Sequence, residues 1–176
     1  AAPALAALVA GSLLPGVFGQ TLQRWRTQFD GRVPTRLHLT AETAHVGATP
    51  ETPQEGFTDA EQAARVEAFL RMIGLTGQFA PLVLMLGHGS GSRNNPHLSA
   101  YDCGACSGRH GGPNARVFAA MANRPEVRAL LAGRGLSIPE TTWFVAAEHN
   151  TCDEGIAWYD LDLLPPAFLP PLEKLV

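Results

Sequence analysis

The feature that most constrains this chain is a continuous apolar run at 82–86, Leu-Val-Leu-Met-Leu, closed by Pro81 before it and Gly87 after it. A half-exposed strand would alternate polar and apolar residues. A short run without alternation fits a strand buried on both faces, as in a parallel sheet. A second such run, Thr-Thr-Trp-Phe-Val-Ala-Ala, lies at 141–147. The sequence between them is helical at 115–122 and 125–132, with Pro125 suited to a first helical position and Gly133 or Gly135 to the stop. Strand, long loop, helices, strand is the order of a βαβ unit. The expected class is therefore α/β, a parallel β-sheet with flanking helices, with His88 just past the end of the first strand.

One more helix is legible upstream. Thr58 and Glu61 have capping-box spacing, and Val66, Phe69, Leu70 and Ile73 then recur on one helical face. Gly74 or Gly77 ends it. The 176 residues suit one ordinary domain of roughly 100–200 residues. We divide it into a helical and loop segment 1–57, an α/β core 58–160 and a Pro-rich arm 161–176. The arm has no helical continuity and suits a linker or a packing role. Residues 1–23 carry no charge, but Pro3, Gly11, Pro15, Gly16 and Gly19 interrupt them. They read as a partly helical segment packed against protein rather than a membrane span, and no positively charged start marks a secretory signal.

Composition removes several functions. The formal net charge is −3, only 16% of residues are charged, and the single lysine is Lys174. A nucleic-acid binder would show a basic patch or stripe, and none is present. The three cysteines, Cys103, Cys106 and Cys152, are too few and odd in number for a disulfide framework. They point to a reducing compartment, with thiols kept for metal or chemistry; Cys152 reads equally well as a small buried apolar residue.

The chemistry concentrates in the Gly-rich stretch 87–113, which leaves the carboxyl end of the first strand, where open α/β sheets place their ligands. A dinucleotide fingerprint fails because Ser92 stands where the third Gly belongs, a nucleophile elbow around Ser90 fails at His88, and no Gly-Lys-Ser/Thr is present. Metal binding fares better. His88, Cys103 and Cys106 offer the nitrogen and sulfur donors that zinc prefers, with Asp102 beside them. The Cys-x-x-Cys pair is also shared by redox sites. A second polar cluster, 148–154, follows the second strand. His149 and Asp153 there are candidates to orient metal ligands, or Asn150, Thr151 and Asp153 cap a turn. Arg93, Arg109 and Arg116 either bind an anion or tie the loop down.

These motifs carry a resemblance. Gly-His-Gly-Ser-x-Ser-x-Asn-Asn-Pro from Gly87, Asp-Cys-Gly-Ala-Cys-x-Gly from Asp102, Pro-Asn-Ala-Arg from Pro113, Ile138-Pro139 leading to Phe144, and His-Asn-Thr-x-Asp from His149 resemble the DabA family. These are large peripheral subunits of a bacterial inorganic-carbon pump, several times longer than this chain, which reads as an internal fragment. The resemblance implies a core similar to β-carbonic anhydrase, with zinc held by two Cys, one His and one Asp. His88 and Cys103 match two of these ligands, with Cys106 outside the set. The other Cys and the Asp belong to a Cys-x-Asp-x-Arg motif that these residues lack, so the chain by itself is expected to be inactive. The implied function is zinc-dependent hydration of CO2 to bicarbonate, driven in one direction by cation flow through a membrane subunit, DabB, at the cytoplasmic face of the inner membrane. The alternative is a non-enzymatic, zinc-stabilised interaction domain that uses Cys103 and Cys106 together.

Overall fold

The computed structural model describes residues 35–42, 49–53, 55–90 and 109–173. It divides into a unit Ala1–Leu37, of which only 35–37 are described, and a unit His38–Val176, which holds every element below. The segment 1–23, expected to be partly helical, lies outside the described residues. Among the described residues, no helix is long and apolar enough to cross a membrane.

Helix α1, Asp59–Met72, starts where its capping box predicts. Glu61 N–H donates to Thr58 Oγ1 at 3.3 Å, and Thr58 N–H donates to Glu61 Oε2 at 2.9 Å. Val66 and Leu70 are buried, and the Phe69 ring packs on Phe118 with centroids 4.7 Å apart. Ile73, expected on the same face, is instead the half-exposed C-cap. The reason is that Gly74 already turns the chain at φ +75°, closed by Gly74 N–H to Arg71 O and Leu75 N–H to Leu70 O. That pair of bonds is the Schellman stop, which needs a left-handed residue.

The sheet has three strands in the order β1-β2-β3. Strand β1, Leu82–Gly89, runs parallel to β2, Trp143–Asn150, and β3, Gly155–Tyr159, returns antiparallel to β2. The parallel pair is the one the apolar runs predict. The sheet as a whole is mixed, because β3 folds back through a short hairpin. Both strands also run further than expected. Gly87, His88 and Gly89 pair with Glu148, His149 and Asn150, so His88 lies inside β1 and not past its end. Polar and glycine residues gave no strand signal there; the neighbouring strand supplies the hydrogen bonds.

Two helices cross between β1 and β2. Helix α2, Gly112–Ala122, begins three residues before the apolar pattern, with Pro113 in its first turn; α3, Pro125–Gly133, begins at Pro125 as expected. A second Schellman turn, at Gly135 with φ +78°, closes α3 and leads into fully buried Leu136. One sheet face carries Val83, Met85, Phe144, Ala146 and Tyr159 into a core with α1, α2 and α3. The other carries Leu82, Trp143, Val145 and Trp158 against Leu164, Phe168 and Leu172. Those last residues come from the Pro-rich arm, which packs as two 3-10 turns, Leu161–Leu163 and Pro166–Phe168, and a short helix α4, Leu169–Glu173. Covering both faces of β2 is what its unbroken apolar sequence requires.

Since β3 pairs with β2 only from Ala146 onward, the Phe144 backbone on that side needs another partner. Asn123 provides it. Its Oδ1 accepts from Phe144 N–H at 2.9 Å and its Nδ2 donates to Phe144 O at 2.8 Å. Arg128 secures the same corner, donating to Ala122 O, Pro139 O, Thr142 O and Asn123 Oδ1. Burial lowers the Arg128 pKa from its ordinary value, and the four acceptors offset the cost of that desolvation.

Two stability outcomes follow from these caps. Asn123→Ala leaves a buried N–H and a buried C=O unpaired, at about 1–3 kcal/mol for each; urea unfolding of the intact protein, with hydrogen exchange at the Phe144 amide, reads the loss. Thr58→Ala removes the N-cap acceptor and is expected to cost about 1 kcal/mol, with faster exchange confined to the first turn of α1.

Candidate functional site at the carboxyl end of the parallel strands

Strands β1 and β2 end together, and the chain leaving β2 stays attached to β1. Thr151 N–H donates to Gly89 O at 3.1 Å, and the Thr151 hydroxyl donates to the same oxygen at 3.0 Å. His88 Nε2 sits 3.0 Å from Thr151 Oγ1. The Thr151 hydroxyl thus lies between Gly89 O and His88 Nε2 and holds the imidazole by one ring nitrogen. Histidines that bind metals are commonly oriented in this way, through the nitrogen that does not bind the metal.

His88 and His149 are register partners, so they share a sheet face. They share it with Leu86 and Ile156, which are about half exposed at 50% and 46%. His149 Nε2 lies 2.8 Å from Glu154 Oε2, on an exposed carboxylate. Asp153 is engaged in the β2–β3 turn, where its Oδ1 accepts from Gly155 N–H at 2.9 Å; Asn150 Oδ1 likewise accepts from Cys152 N–H at 3.1 Å. The turn-capping reading of this segment therefore holds for Asn150 and Asp153, and the two histidines sit together beside it. Cys152 is exposed, not buried as the packing reading had it, because the turn lifts it from the sheet; its Sγ lies 3.2 Å from Ser90 Oγ.

The opposite face of the same strand ends carries a cluster that the sequence did not single out. Glu148 is buried, with its side chain 3% exposed. Its Oε1 is 2.9 Å from His110 Nδ1, and its Oε2 accepts from Gly112 N–H at 3.1 Å and from the Tyr159 hydroxyl at 3.3 Å. One signal was available: with period two, residue 148 falls on the face of Phe144 and Ala146, so a carboxylate there is inward-facing. His110 and Tyr159 carried none, since their approach depends on the return of the chain into α2 and on β3.

Arg116 ties the fold down rather than offering a cation to a ligand. Its guanidinium grips Asp160 at 2.6 and 2.5 Å and lies over the Tyr159 ring. The hydrogen bonds it donates to Asp160 raise its pKa above the ordinary arginine value. Cys103, Cys106, Asp102 and Arg93 lie outside the described residues. Among the described residues, no three His, Cys, Asp or Glu side chains gather as a metal site. His88 fits zinc by its donor chemistry and by the hold of Thr151 on one of its ring nitrogens.

The comparisons with known proteins agree on one family. Residues 2–176 match the family described as probable inorganic carbon transporter subunit DabA. A relative from Dechloromonas aromatica (strain RCB), described in those words, is 73% identical over all of this chain. One from Methylococcus capsulatus is 62% identical over 90% of it, and one from Nitrosococcus oceani 61% over 81%. The chain spans 17%, 15% and 13% of the lengths of these curated relatives. No solved structure matches it. With a profile match over nearly its whole length, this chain belongs to the DabA family of probable inorganic carbon transporter subunits.

Proposed function

We propose that this chain forms part of the metal-bearing core of an inorganic carbon pump, with His88 and Cys103 as two zinc ligands. The observation that carries the reading is His88 itself: it lies at the carboxyl end of a parallel strand, one ring nitrogen held by Thr151 and the other left to a ligand. The remaining two ligands come from a Cys-x-Asp-x-Arg motif elsewhere in the longer protein. The core is β-carbonic-anhydrase-like.

Zinc, when bound, supplies the Lewis acidity that lowers the pKa of a coordinated water to about 7. The residues of this chain do the placing. Thr151 fixes the ring plane of His88, and the strand pairing fixes its backbone. His149 lies beside it on the same face. Hydration of CO2 forms one carbon–oxygen bond and releases one proton, with bicarbonate as product. The relatives' description as a transporter subunit implies a partner; in this proposal the partner is a DabB-like membrane subunit that couples cation flow to that release at the cytoplasmic face of the inner membrane.

In the full-length protein co-purified with its membrane partner, His88→Ala and Cys103→Ser are expected to abolish both stoichiometric zinc and inorganic carbon uptake. Cys106→Ser should keep both. Metal analysis and labelled bicarbonate uptake read the result. Full zinc and uptake in His88→Ala overturn the assignment, and zinc lost in Cys106→Ser but kept in His88→Ala assigns a structural Cys-x-x-Cys site instead.

A further inference from the structure

Between β1 and α2 the chain leaves the sheet edge and comes back, and the returning residues 110–112 are bonded at each step. His110 Nδ1 reaches Glu148 Oε1 at 2.9 Å, Gly111 N–H donates to His88 O at 2.7 Å, and Gly112 N–H donates to Glu148 Oε2 at 3.1 Å. One buried carboxylate on β2 thus holds the residues on either side of the one that bonds to His88.

The surrounding backbone is built around that carboxylate. A Cβ on Gly112 would collide with Glu148 Oε2 and the Tyr159 hydroxyl oxygen. On Gly89 it would come within 2.7 Å of His110 Nδ1 and 2.9 Å of the Glu148 carboxyl carbon. On Gly87 it would strike the backbone of Gly111 and Gly112. Glycine at 89 and 112 clears space for the Glu148 side chain, and glycine at 87 clears space for the returning backbone of 111–112. An ionic group in such a place costs several kcal/mol to desolvate unless donors surround it, and here an imidazole, an amide and a phenol do.

We infer that Glu148 is a positioning residue: its buried carboxylate sets where residues 110–112 meet the sheet edge, and through the Gly111–His88 bond it holds the backbone of His88 for metal binding. This rests on the zinc reading above and deepens it. Glu148 acts through His110, Gly112 and the Gly111–His88 bond, as groups behind metal ligands do when they fix ligand geometry.

The test uses the full-length protein with its membrane partner, two readouts and three variants. Zinc affinity is measured by chelator competition, and amide exchange is followed over residues 109–113. Glu148→Ala is expected to weaken zinc by about 10- to 100-fold and to speed exchange there. Glu148→Gln keeps an oxygen for Gly112 and Tyr159, and should recover most of both. His110→Ala removes one arm at a side chain that is 48% exposed, so the protein folds even if Glu148→Ala does not. It should loosen zinc and exchange with an unchanged melting temperature. Wild-type zinc affinity and exchange in both Glu148→Gln and His110→Ala, with Glu148→Ala altered only in melting temperature, would reduce Glu148 to a fold residue and overturn the inference. If the wild-type protein holds no zinc, the metal reading fails by itself, and exchange over 109–113 alone decides the clamp: faster in Glu148→Ala or His110→Ala supports it, unchanged in both rejects it.

Discussion

The arrangement of this fold depends on a contact between backbones. Gly87 on β1 lies against Gly111 and Gly112 at the start of α2 with no room for a side chain between them. Helices pack on sheets at a separation set by the side chains at the contact. Removing those side chains at one end lets α2 approach with its first turn against the strand. That approach puts the Gly112 amide on Glu148 and the Gly111 amide on His88. The long excursion between β1 and α2 therefore starts and finishes at the same strand end. Alanine at 87 would push α2 outward and separate all of these bonds together.

Energetically, the corner is polar where a sheet core is usually apolar. Replacing a buried charge by a well-packed hydrophobe is often neutral or stabilising, whereas deleting one partner is costly. A carboxylate at 148 is therefore poor evidence for stability as such. Its use lies in direction. Three donors from three separate pieces of chain, namely the return segment, α2 and β3, converge on two oxygens. Apolar packing would hold these pieces close without fixing their register; directed hydrogen bonds fix it.

The contrast between what was legible in the sequence and what was not has a simple cause. Local chemistry showed plainly. The Thr58–Glu61 box, Pro125 at the start of α3 and the glycines that end α1 and α3 act within a few residues. The apolar runs at 82–86 and 141–147 announced two strands; β2 is buried on both faces as its run requires, whereas 82–86 is only partly buried and Leu86 is half exposed among the described residues. What stayed hidden was long-range. Gly87-His88-Gly89 has poor strand propensity and is a strand only because β2 pairs with it. The five residues of β3 pair only through a hairpin whose turn is closed by Asp153 and left-handed Glu154. Fully buried Gln62 reads as a surface residue of α1 until Leu39 O, Phe57 O and Arg124 are seen around its amide. Of the site, His88 was found by its residue type and its place after an apolar run. Glu148 shows in the sequence only as the first residue of a polar cluster, because its partners stand 11 to 38 residues away.

The two faces of the strand ends divide the work on His88. On the arm side, Thr151 holds the ring, and His149 stands beside it in register. On the helix side, Gly111 bonds the His88 carbonyl and is itself flanked by the two residues that Glu148 grips. Ring and backbone are thereby fixed by different parts of the chain. A histidine on a free loop would have to lose side-chain and backbone entropy when a ligand bound, at roughly 1–2 kcal/mol for the backbone alone. Inside a paired strand that cost has already been met by folding. The extension of β1 through His88, which propensity argues against, is therefore what lets this residue present one nitrogen in a constant direction.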